Sequence, residues 1–162
     1  MNGDTLYIGD SFDRISKFVT MEQFWYSDGF FSGKTYQSGY YWGHNRGISH
    51  LQFNYENKLT NVDMATKNRD TISPKEHFAK ITNIFIKYYG NNYKVYKTSY
   101  SSARVLLWML PDDNTLYLSG NLNNHNMNGN DSTTIFIYFN HKLNPKFYHL
   151  DTSETAKDLG LE

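Results

Sequence analysis

One stretch of this chain carries complete helix punctuation. Ser73-Pro74-Lys75-Glu76 supplies a hydroxyl N-cap, a proline at the first helical position and a glutamate at the third, a reciprocal capping box. Phe78, Ile81, Ile84, Phe85 and Tyr88 then return at three- and four-residue steps and make one apolar face. Gly90 follows as a residue free to take the left-handed conformation that closes a helix. The spacing predicts a helix over 73–89, and the rest of the chain must fold around it.

Little else reads as helix. Ser11 or Asp10 can cap a shorter one over 11–21, with Phe12, Ile15, Phe18 and Val19 as its stripe. Leu51, Phe53 and Tyr55 alternate with His50, Gln52 and Asn54, the period-two pattern of a strand. Asn57-Lys58 turns the chain into 59–64. The run Val105–Leu110 is apolar on both parities, as in a strand covered on both sides. Pro111-Asp112-Asp113-Asn114 is a turn, Leu116, Leu118 and Leu122 alternate on the returning strand, and 135–139 is another apolar run. Short polar turns between successive strands favour an antiparallel meander over parallel crossovers. The expected fold is therefore α+β: a single domain over 1–162, with an antiparallel meander of six to eight strands and both helices packed on one face. Phe78, Ile81, Phe85, Leu51, Phe53, Leu107, Leu118 and Ile137 are expected in the core.

A possible duplication adds to this layout. Tyr55-Glu56-Asn57-Lys58-Leu59 and Phe139-Asn140-His141-Lys142-Leu143 share the form aromatic, polar, polar, Lys, Leu. Two halves, 5–70 and 71–148, would each be one helix followed by a meander; chance agreement over five common residue types is the competing explanation. With Gly9-Asp10-Ser11 opening the first helix, the Lys58-Leu59 hairpin and the Tyr88-Tyr89-Gly90 helix end, the chain resembles small exported helix-plus-meander modules. These are typified by beta-lactamase-inhibitor proteins and outer-membrane assembly lipoproteins. The resemblance implies a binding or scaffolding role in a bacterial cell envelope and no catalytic residues.

Charge and composition remove several classes. Sixteen basic and sixteen acidic residues cancel, so nothing in the net charge points to nucleic acid or an anionic membrane. The longest apolar run, Val105–Leu110, is far too short for a transmembrane helix. There is no cysteine, which removes disulfides, thiolate metal sites and a cysteine nucleophile together. Met1-Asn2-Gly3-Asp4 has no signal-peptide character. If Met1 stands where an export signal was removed, the expected compartment is the envelope; otherwise it is the cytoplasm.

No catalytic set is complete. Leu6-Tyr7-Ile8-Gly9-Asp10-Ser11 is similar to the first block of SGNH hydrolases, which would make Ser11 an esterase nucleophile. Gly129-Asn130-Asp131 is similar to that family's later Gly-x-Asn-Asp block, but Asn128 stands where its glycine is needed, and no histidine follows an aspartate by three residues. The other reading makes Asp10 and Ser11 a helix cap. Asn124, Asn126, Asn128 and Gly129 have the skeleton of a calcium loop, yet the ligand positions are amides and position twelve is Ile135. That segment reads as a solvated loop. The six histidines show no metal spacing, and neither a metal nor a cofactor is expected.

The strongest binding signal lies in 24–48, where Trp25, Tyr36, Tyr40, Tyr41 and Trp42 are interleaved with glycines and followed by His44 and Arg46. Flat aromatic rings beside glycines supply large rigid area at low entropy cost. The same rings can instead fill the core of a chain with 11 Phe, 14 Tyr and 3 Trp. The expected function is a non-catalytic binding module with a protein or glycan partner, the alternatives being a carbohydrate-binding domain and a small esterase acting through Ser11.

Overall fold

The computed structural model describes residues 5–24, 34–42, 45–67, 72–99, 102–122 and 134–161, with residues 24, 37–42, 45–48 and 67 described by backbone alone. Within them the order is α1 (Phe12–Ile15), β1 (Glu22–Phe24), β2 (Lys34–Trp42), β3 (Asn45–Phe53), β4 (Leu59–Lys67), α2 (Pro74–Tyr89), β5 (Tyr93–Thr98), β6 (Ala103–Met109), β7 (Thr115–Asn121), β8 (Thr134–Phe139) and β9 (Tyr148–Leu150). The strands form one antiparallel sheet ordered β1-β2-β3-β4-β8-β7-β6-β5-β9. Each of the stretches 5–70 and 71–148 contributes a helix followed by four strands, and the last strands of the two sets, β4 and β8, meet at the middle. The two similar pentapeptides fall in unlike places: 55–59 lies in the β3–β4 turn, whereas 139–143 leads away from the end of β8.

α2 is built as its sequence specifies. Ser73 Oγ accepts from the Glu76 backbone N–H at 3.2 Å, and Glu76 Oε2 accepts from the Ser73 N–H at 2.9 Å. These bonds hold the Glu76 carboxyl below its usual range, the Ser73 backbone contributing most. Gly90 ends the helix at φ +79° and accepts the Trp108 indole N–H at 2.9 Å, tying the helix end to β6. Phe78, Ile81 and Phe85 are buried against Leu106, Trp108, Leu116, Leu118, Ile135 and Ile137. Gly120 lets the helix come this close. A Cβ there would stand 2.7 Å from the Phe78 ring, which has no exposed surface.

The first helix is shorter than the 11–21 expected from its stripe. Only Phe12–Ile15 is α-helical; the next bonds from Lys17 and Phe18 reach back three residues, to Arg14 and Ile15. A single turn is marginal on its own. Tertiary pins hold it: the Gly9 N–H donates to the Leu59 carbonyl, the Leu59 N–H to Asp10 and the Phe12 N–H to Asn57. With Val19 and Thr20 β-branched, the chain leaves the helix for β1. Ile15 is buried with Leu51, Phe53, Leu59 and Val62, and Met64 and Phe139 touch both this cluster and the one under α2.

Register assigns the faces. Leu106 and Trp108 of β6 point into the helix-side core, so Val105, Leu107 and Met109 point the other way. Leu107 is thus a correction to the expected core, because in a run apolar on both parities the pattern does not say which parity meets the helices. The other seven expected core residues are buried.

After β8 the chain crosses the sheet twice. To reach β9, which pairs with β5, residues 140–147 must pass over β7, β6 and β5. They do so on the face opposite the helices, where the Thr115 hydroxyl donates to the His141 carbonyl and Leu143 and Pro145 line a groove together with Tyr96 and Leu107. The chain then wraps the β9 edge onto the helix side. There Lys97 pairs with Asp151, Arg104 Nε meets Glu154 Oε2 at 2.7 Å, and Leu159 is fully buried in the core under α2.

Candidate functional site: the sheet face away from the helices

On the face away from the helices, strand pairing sets side chains in rows about 4.8 Å apart from strand to strand. One row runs His50, Asp63, Tyr138, Tyr117, Leu107, Lys94 from β3 to β5. Beside it runs Ala65, Phe136, Ser119, Val105, Tyr96, Leu150, ending at β9. The middle of these rows is aromatic. Tyr117 and Tyr138 stack with centroids 4.6 Å apart, Phe136 lies 6.2 Å from Tyr138 in a near-parallel plane, and the His141 ring meets Tyr138 edge-on at 5.4 Å. Phe136 is 42% exposed and Leu150 54%, while Tyr117 is buried beneath its neighbours.

A polar group borders the rings. The His141 ring Nε2 meets an Asp63 carboxylate oxygen, both side chains being partly exposed. The His141 backbone is fixed as well: its carbonyl accepts the Thr115 hydroxyl at 2.7 Å, and the Asn140 N–H donates to the Thr115 carbonyl at 2.6 Å. Asn140 stands at φ +61°, with its side-chain amide donating to the Thr60 carbonyl and its own carbonyl accepting from Asn61 Nδ2. This junction launches the 140–147 crossing. Between the crossing and the strands lies a groove of about 380 Å³.

The residues expected from sequence are distributed differently. Tyr36 packs on the helix side, its ring 4.8 Å from Phe12 and 5.6 Å from Phe53. Trp25 and His44 lie outside the described residues, as does the Asn-rich segment 123–131. Tyr40, Tyr41 and Trp42 are placed by backbone only, as the β2 partners of Gly47, Arg46 and Asn45. Ser11 Oγ accepts from the Arg14 N–H at 3.2 Å in the capping position. The Asp10 carboxylate accepts from the Tyr7 N–H and pairs with Arg14.

Asp63, Tyr117, Phe136, Tyr138 and His141 escaped the sequence reading, although a signal for them exists. In β8 the aliphatic Ile135 and Ile137 alternate with Phe136 and Tyr138; in β7 Leu116 and Leu118 flank Tyr117. Those aliphatic side chains face the helices, and Phe136, Tyr138 and Tyr117 face out. Among the described residues no group of three or more His, Asp or Glu is placed to hold a metal ion, and no helix is long and apolar enough to cross a membrane. Comparison with protein-family models, with curated proteins and with solved structures finds no match to this chain.

Proposed function

We propose that the chain is a non-catalytic binding module that presents the sheet face away from the helices, beside the 140–147 crossing, to a protein partner. The observation that carries this reading is the ring cluster Phe136–Tyr138–Tyr117, set in register by β7 and β8 and left uncovered by both helices. Leaving apolar surface in water forgoes about 25 cal/mol per Å², which burial under a partner recovers. Rings fixed on strands give up little conformational freedom on binding, a property of good contact anchors. Resemblance to small exported binding modules supports the same role.

The test is site-specific photo-crosslinking in the source cells, with the probe at position 136 and, as reference, at Tyr55, which is 83% exposed in the β3–β4 turn. The protein captured from position 136 is then purified and titrated against variants. Phe136→Ala should weaken binding about tenfold, or about 1.4 kcal/mol, while Tyr55→Ala leaves it unchanged. Equal affinity for the two variants overturns the reading, as does a glycan-array hit whose binding Phe136→Ala does not alter.

A further inference from the structure

The groove under the 140–147 crossing is built like a small-molecule site. Its volume of about 380 Å³ lies within the range, roughly 300–1,000 Å³, of sites that enclose such ligands. Tyr96 of β5, Leu107 of β6 and Tyr148 of β9 line its sheet side, and Leu143 and Pro145 of the crossing line the other. Its roof is held open from both ends. Thr115 pins the His141 end, and the Ser99 N–H donates to the Phe147 carbonyl at the other. Between these anchors the Asn144 carbonyl accepts from the Phe147 and Tyr148 N–H groups, and Asn144 Oδ1 accepts from the Lys146 N–H. A roof so bonded preserves the space instead of collapsing into it, so little ordering cost falls on a ligand.

The charge is one-sided. Lys142 lines the groove as its cation, and among the described residues no acidic side chain does. Asp63, the carboxylate beside it, already faces the His141 ring. Lys94, which pairs with Leu107 in the strand register, adds a further cation on this face. Two tyrosines with leucine and proline select a flat apolar body, and the lysine selects an anionic tail.

We propose that this groove binds a small aromatic carboxylate, the ring resting on Leu107 beside Tyr96 and the carboxylate meeting Lys142. This goes beyond the protein-docking reading and does not depend on it. The experiment titrates 4-hydroxyphenylacetate into the ¹⁵N-labelled full chain, with p-cresol and tyramine as the neutral and cationic counterparts. The carboxylate should give saturable amide shifts confined to 141–148 and the strands below. Lys142→Gln should weaken it about fivefold, the worth of one solvated charge contact at about 4 Å. Leu107→Trp, which fills the floor, should abolish the shifts while the remaining spectrum shows the fold intact; should that variant fail to fold, the Lys142→Gln titration decides alone. Equal binding of tyramine, an undiminished response in Lys142→Gln, or no saturable shift up to about 10 mM each overturns the proposal.

Discussion

Gly120 shows how much rests on a single missing methyl. It lies opposite Ile135 on the helix side of β7, where the Phe78 ring presses directly onto the backbone. Phe78 is itself buried against the sheet and cannot swing aside. Gly120→Ala is therefore expected to lower stability by about 1–3 kcal/mol through overpacking, read as a shift of the urea midpoint at unchanged slope. A wild-type midpoint in that variant would mean that α2 sits further from the sheet than described. The glycine was visible in the sequence, but its reason was not: which residue crosses above it is a fact of tertiary packing.

Elements differ in how far they announce themselves. α2 was legible in full because its cap, its stripe and its terminator are all local. Ser73→Ala should cost about 0.5–2 kcal/mol by removing the side-chain acceptor at its start, measured by chemical denaturation. The first helix is shorter than its stripe because Phe18 and Val19 continue the periodicity beyond the last helical turn, while the pins to Leu59 and Asn57 that hold its start come from distant sequence. Strand existence was legible from alternation, whereas the face was not. Leu107 reads as core because Val105–Leu110 offers no polar residue to say which side meets the helices, and both sides of β6 are in fact covered, Val105 lying fully buried on the outward one. For the candidate site the difficulty is the same: Phe136 and Tyr138 are hidden inside an apolar run, and Asp63 becomes the neighbour of Tyr138 only through β4–β8 pairing.

Across the whole molecule, the segment after β9 binds the edge of the sheet to the helix layer. Its carboxylates make this clamp sensitive to acid. The Lys97 ammonium and then the Ser153 hydroxyl and N–H hold the Asp151 carboxyl far below the ordinary aspartate range. Asp158 is lowered as well, chiefly by the Thr155 backbone N–H. A carboxyl with a depressed folded pKa binds fewer protons folded than unfolded, so its contribution is fully present above the unfolded value near 3.9 and fades as pH falls below it. Asp151→Asn should be less stable than wild type at neutral pH, and the gap between their urea midpoints should close as pH drops from about 4 towards 2. A gap that persists unchanged at the acid end would remove the Lys97 pairing as its cause.

The junction of β4 with β8 has a kinetic consequence. Strands β1–β4 pair with sequence neighbours, and so do β5–β8, but Val62 finds Phe139 only after all of the second half has been laid down between them. Such non-local pairings form slowly compared with hairpins. Until they do, β4 and β8 are bare edges carrying Val62, Met64, Ile135 and Ile137, the kind of surface on which partly folded chains aggregate. Refolding yield should thus be decided at the centre of the sheet, far from either of its finished edges.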